Sequence, residues 1–161
     1  MEKDIYDERI IIIPIDNRDA SKRSLAWYLD NMMKPNDTVH IIYVIKPKYN
    51  LSTVGLVYKI SLATPIGNSD SKLHKRIEDG KELVRSYINE LTTRGAKGTG
   101  YIRIHPKVGQ TVVDVCNEHL GDYIIITKRK KSSFKENLFG SISHYVFSHS
   151  NRPVIMVPPL F

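Results

Sequence analysis

The stretch Gly121–Val157 reads GDYIIITKRKKSSFKENLFGSISHYVFSHSNRPVIMV. Its apolar run Tyr123–Ile126 lies between Gly121-Asp122 and a basic polar loop, Thr127–Asn137. That is the profile of a strand buried on both faces. Gly140-Ser141 follow, then Ile142, Tyr145, Val146 and His149 at helical spacing, with Ser141 or Ser143 placed to cap the helix. A second buried run, Val154–Val157, comes after Asn151-Arg152-Pro153. Strand, loop, Gly-Ser, helix, strand is a βαβ unit. The free N–H groups and positive dipole end of its helix face any anion at the strand's carboxyl edge.

Working outward, the 161 residues suit a single domain over 1–161 with a real core. The apolar and charged fractions, 41% and 25%, are those of an ordinary globular protein and disfavour the disordered and membrane classes. No apolar stretch approaches the roughly 20 residues that span a bilayer, and the N-terminus lacks the pattern of a secretory signal. One cysteine, Cys116, allows no internal disulfide and no cysteine metal cluster; a reducing, cytoplasmic setting is expected. The net charge of +7 favours polyanionic partners. Much of that excess sits in Lys128-Arg129-Lys130-Lys131, where a solvated loop is the plainer reading.

From the start, Arg9–Ile15 (RIIIIPI) reads as a central parallel strand, with Pro14 at its end because proline cannot donate to a ladder. Asp16–Asp19 make a turn, and Asp19 or Ser21 can cap a helix carrying Leu25, Tyr28, Leu29 and Met32. That helix stops before Pro35-Asn36-Asp37, and Thr38–Ile45 is a second buried strand. Residues 46–69 are the least regular part, with a short apolar turn around Leu56–Ile60. After the helix caps Ser69-Asp70-Ser71, apolar residues from Leu73 to Leu91 recur every three or four positions, and Gly95 ends this longest helix. Gly98–His105 contains a third strand. Gly109 precedes a helix with Val112, Val115 and Cys116, which Gly121 closes. The order β-α-β-loop-α-β-α-β-α-β predicts an α/β fold: one open, mainly parallel five-stranded sheet with helices on both faces.

The opening stretch resembles the C-terminal signature of the universal stress protein family, and the resemblance extends over nearly the whole chain. It implies strand order 3-2-1-4-5, an adenine nucleotide alpha hydrolase-like arrangement, with a crevice where the order reverses between the first and fourth strands. In the family's ATP-binding members a glycine ends the fourth strand, a second follows three residues on, and a third ten residues later starts a helix before Ser or Thr. Here the third is Gly140 with Ser141 behind it, but Thr127 and Lys130 hold the first two places. The resemblance further implies Pro14 and Asp16 beside an adenosine, and Val44 offering backbone groups to adenine. Asp16 reads equally as a turn-former bonding its own backbone two residues on. Gly140-Ser141 reads equally as a plain helix start.

Thr127 and Lys130 decide what such a pocket could hold. Glycine lets backbone amides approach a phosphate and permits positive φ; a β-branched residue held there is strained by roughly 1–3 kcal/mol. Losing two or three charge-assisted hydrogen bonds costs about 3–9 kcal/mol, while micromolar affinity is only about 8 kcal/mol in total. Exposed basic side chains recover a small part. The expectation is a non-catalytic, homodimeric regulatory or protective module whose adenine-nucleotide site is weakened or lost. The alternative keeps ATP or AMP, or another phosphorylated small molecule, through Lys130 folded over the phosphates.

Neither catalysis nor a metal is announced. His40, His74, His105, His119, His144 and His149 show no metal-ligand spacing, no G-x-S-x-G elbow occurs, and Cys116 reads as a buried, inert thiol. Slow ATP hydrolysis would need an ordered metal that no pattern supplies. Nucleic-acid binding through the basic loop 128–131 with Lys46, Lys48 and Lys59 is disfavoured, because aromatic interleaving and a reading helix are missing. The last strand, Pro153, Val154, Ile155, Met156 and Val157, falls at a sheet edge. The resemblance implies that it pairs across a two-fold axis in a homodimer; the other reading has Pro158–Phe161 cover it.

Overall fold

A computed structural model describes residues 8–47, 54–67, 71–128 and 140–158. Its elements alternate along the chain: β1 (Ile10–Ile15), α1 (Asp19–Asn31), β2 (Thr38–Ile45), β3 (Val57–Ile60), α2 (Lys72–Thr93), β4 (Lys97–Ile104), α3 (Val108–Glu118), β5 (Tyr123–Thr127), α4 (Ser141–His149) and β6 (Val154–Val157). They build one sheet of order β3-β4-β2-β1-β5-β6. All neighbours run parallel except β3, which lies antiparallel on β4. Leaving β3 aside, this is the predicted order, so the fold class stands and the strand count is corrected from five to six. Val57–Ile60 alternates an exposed, a half-buried, an exposed and a buried residue, and pairs on one side only. Four residues on an edge give too short an alternation to separate from an apolar turn.

The isoleucine run of β1 follows from its central place. Ile11, Ile13 and Ile15 face one way, into a core shared with Leu25, Tyr28 and Leu29 of α1 and Ile77, Val84, Ile88 and Leu91 of α2. Ile12 faces the other way with Ile42, Ile124 and Ile126, against Val112, Val115 and Cys116 of α3 and Val146 of α4. Helices on both faces make both sides of the strand apolar, so the usual strand alternation disappears. The helix α2 packs closely on β4. A Cβ on Gly100 would lie 2.0 Å from Val84 Cγ1, so only glycine fits beneath that helix.

Helix ends depart from the predicted chemistry. No side chain caps α1, α2, α3 or α4 at its N-terminus; the N-cap of α1 is Arg18 and that of α4 is Gly140. Ser141 and Ser143 therefore do not cap α4, and neither Asp19 nor Ser21 caps α1. At the end of α3 the left-handed residue is Leu120 (φ 53°), not Gly121. The Gly121 N–H reaches back to the Cys116 carbonyl at 2.7 Å, closing a Schellman-type turn. Gly121 is needed for space: a Cβ there would meet Cys116 Sγ and Ile12 Cγ1, each at 2.8 Å.

Candidate functional site

Parallel pairing between β1 and β5 spans only Ile11–Tyr123 and Ile12–Ile124, whereas β1 stays paired with β2 through Ile15–Tyr43. Beyond Ile12 the central strands therefore part at the carboxyl edge of the sheet. Pro14, which brings no N–H, lies in the stretch of β1 that β5 leaves unpaired, where the missing donor costs least. The crevice is rimmed by Asp16, the end of β2 and the end of β5.

Asp16 is held by its own turn. Its Oδ1 accepts from the Ser21 hydroxyl at 2.8 Å and from the Arg18 N–H at 3.0 Å, while the Ser21 Oγ accepts from the Asp16 N–H at 2.9 Å. Oδ2 lies 3.8 Å from Arg18 Nε. The bond to the backbone two residues on is the one expected of a turn-former. It organises the first turn of α1. Beside it, Tyr43 is half-buried. Burial raises its phenol pKa; Arg76 opposes this, and Asp16 and Asp79 add to it. Val44, next along β2, packs against the α3–α4 side of the core, as expected of a residue whose backbone alone would serve a ligand.

Thr127 ends β5 in register with Val157, and its Oγ1 donates to the Ala20 carbonyl at 2.7 Å. Its φ is not positive: among the described non-glycine residues only Leu120 takes the left-handed conformation. The predicted backbone strain is thus corrected. Threonine sits here in extended strand geometry and commits its hydroxyl to α1. Next to it, the Lys128 N–H donates to the Val157 carbonyl at 2.9 Å, so this amide belongs to the ladder. Arg23 lies 3.4 Å from the Lys128 carbonyl. Arg129, Lys130 and Lys131 fall outside the described residues, as do Lys48 and Pro159–Phe161.

On the other side of the crevice, α4 opens at Gly140 (φ −68°, ψ 159°), where a Cβ would meet nothing within 4 Å. Neither conformation nor packing among the described residues demands glycine at this point. Ser141 is exposed and Ser143 half-buried, and the first turn has neither an acidic residue nor a side-chain cap. Its leading amides thus have the donor geometry that suits an anion.

The universal stress protein family model matches residues 8–158. The chain belongs to the universal stress protein family. Solved structures carry the same fold. The hypothetical protein MJ0577 is 20% identical, with 95% of this chain and 97% of that one covered at a TM-score of 0.70. The universal stress protein of Archaeoglobus fulgidus, solved in complex with dAMP, is 19% identical over 95% and 99% of the two chains, TM-score 0.62. An Arabidopsis thaliana family member with AMP bound is 13% identical over 94% and 92%, TM-score 0.60. No curated protein matches.

Sequence reasoning missed two polar features of this universal stress protein. Asp37, read as part of a helix stop, is 1% exposed, and its carboxylate takes both Arg9 Nε (2.7 Å) and Nη2 (2.6 Å) along with the Tyr28 hydroxyl at 2.8 Å. Burial would raise its pKa, but the Arg9, Lys34 and Tyr28 hydrogen bonds outweigh that and hold it below the usual carboxylate range. Away from the crevice, a groove of about 170 Å³ runs between α3 and the end of β4, lined by Arg103, His105, Thr111 and Glu118. Arg103 pairs there with Glu118 at 2.5 Å. Among the described residues no group of three or more His, Cys, Asp or Glu side chains could hold a metal, and no helix is long and apolar enough to cross a membrane.

Proposed function

We propose that this universal stress protein is a cytoplasmic, homodimeric regulatory or protective module without turnover, whose adenine-nucleotide site is altered. The observation carrying this reading is the Thr127 clasp: Oγ1 bonded to the Ala20 carbonyl at the place where a glycine would leave backbone and space to a phosphate. The opposite wall supports a residual anion site, because α4 begins at Gly140, which brings no capping side chain and which packing among the described residues does not require. Relatives bind nucleoside monophosphates, AMP in one case and dAMP in another. On this reading Pro14, Asp16 and Val44 would serve the nucleoside and Gly140, Ser141 and Ser143 one phosphate. Lys130 would then supply charge in place of the missing amides. Thr127 crowds the region that further phosphates would enter. Losing two charge-assisted hydrogen bonds costs about 3–6 kcal/mol, enough to move a micromolar ligand into the millimolar range.

Isothermal titration of the purified protein with ATP and AMP tests this reading. AMP is expected to bind as well as or better than ATP, and ATP no tighter than about 100 μM. Low-micromolar ATP affinity would overturn it. No ATP hydrolysis is expected in the same samples.

The dimer is proposed to form through β6. The Pro153 and Val157 carbonyls accept from Ile124 and Lys128 N–H groups of β5, so strand alternation turns the N–H and C=O of Val154 and Met156 toward the open edge. An apolar strand presenting unpaired backbone groups is suited to pair with a second copy.

A further inference from the structure

Three rings from three elements meet on the α3 side of the sheet, near the amino end of β2. His40 of β2 lies edge-on to Tyr101 of β4 (centroids 5.2 Å apart) and to His119, the C-cap of α3 (4.8 Å). Tyr101 and His119 stand 4.6 Å apart. His40 and Tyr101 are each 7% exposed, and the His40 Nδ1 and His119 Nε2 atoms are buried without a hydrogen-bond partner among the described residues. The carboxyl-edge crevice lies at the opposite end of the strands and makes no use of this cluster.

Two imidazoles packed this way fit as neutral rings and not as cations. Protonation would place two positive charges about a ring's width apart, where burial denies them water. The surrounding elements make this worse. β3 brings Lys59 and β4 brings Arg103, both positive, and β1 brings the apolar Ile12, in register with His40. The one opposing carboxylate among the described residues, Glu118 of α3, is already paired with Arg103 at 2.5 Å.

We propose that His40, Tyr101 and His119 form an acid-sensitive latch, which holds the carboxyl end of α3 on β2 and β4 while neutral and releases it when protonated. The release would be local. Directly after Leu120 and Gly121, Asp122 clasps β1 through its N–H to the Ile10 carbonyl (2.8 Å) and through its carboxylate from the Ile10 N–H (2.8 Å). The last turn of α3 can therefore come off without carrying β5 away. Burial first, then His119 and Lys59, hold the His40 pKa down at about 4. Burial likewise lowers that of His119, with Glu118 opposing and Arg103 and Lys59 adding to the fall. A histidine depressed by folding contributes stability that is complete above its unfolded value of about 6.5 and declines as the pH falls through that value toward the folded one. For His40 alone, the folding equilibrium at pH 5 is expected to drop about 20-fold relative to pH 7.

The test follows backbone amide exchange in Val115–Leu120 between pH 7.5 and 5.0, normalised for intrinsic chemistry, together with an NMR titration of the imidazoles. In the wild type, normalised exchange should accelerate at least tenfold on acidification, and both histidines should titrate below 6.5, His40 last. A His40→Phe/His119→Gln variant should lose most of that acceleration. Should the double variant not fold, His119→Gln alone, at a half-buried position, must reduce it at least threefold. Imidazoles titrating near 6.5, or acceleration of the same size in the variants, would overturn the latch.

Discussion

At the scale of single residues, the Arg9–Asp37–Tyr28 network shows how far a side chain's role can lie from its local sequence. Pro35-Asn36-Asp37 looks like a helix stop, and it is one. The same Asp37 nevertheless gathers a bidentate guanidinium from the start of β1, 28 positions away. No local pattern announces a partner at that distance. Removing the charge while keeping the shape, as in Asp37→Asn, is expected to cost about 2–3 kcal/mol in urea denaturation at neutral pH. Because folding depresses the Asp37 pKa, its contribution is present above the unfolded value and is lost as the pH falls through the folded one. The gap between wild type and variant should therefore close below about pH 4. A gap that stays constant into acid would show that the carboxylate acts by shape alone. Thr127 teaches the complementary lesson. Its identity was readable as an obstacle, but the mechanism was not, since the hydroxyl's partner, Ala20, belongs to another element.

At the scale of elements, the buried parallel strands and the long helices were legible because burial leaves a periodic trace. The run Ile10–Ile13 could only be a strand covered on both faces, and the Leu73–Leu91 spacing could only be an amphipathic helix. Failures came where that trace is short or absent. β3 has four residues and one partner, and capping depends on geometry that Ser, Asp and Gly serve interchangeably. Leu120 is the sharpest case: an exposed leucine occupies the left-handed position where glycine one residue later seemed the natural choice. Contacts between elements were likewise invisible. Gly100 reads as an ordinary strand glycine, yet Val84 of α2 sits in the space its side chain would take. Gly100→Ala is expected to lower stability by about 1–3 kcal/mol through overpacking, seen as a reduced denaturation midpoint with an unchanged m-value. An unaffected midpoint would mean that α2 lifts off β4 at no cost.

At the scale of the whole molecule, strand order, the parting of β1 from β5 and the placing of Asp16 and Gly140 around the crevice all follow from a topology that the family resemblance supplied. The open β6 edge makes the quaternary prediction specific. Met156→Pro removes an N–H that faces away from β5 and should convert a dimer to a monomer in sedimentation velocity while leaving the fold cooperative. A variant that stays dimeric would place the interface elsewhere. The central claim, that a phosphate cradle has been closed by bulkier residues, is tested most directly by reopening it. Titration of ATP into the Thr127→Gly/Lys130→Gly variant, beside the wild type, is predicted to show affinity at least tenfold tighter in the variant; equal or weaker binding would contradict the account.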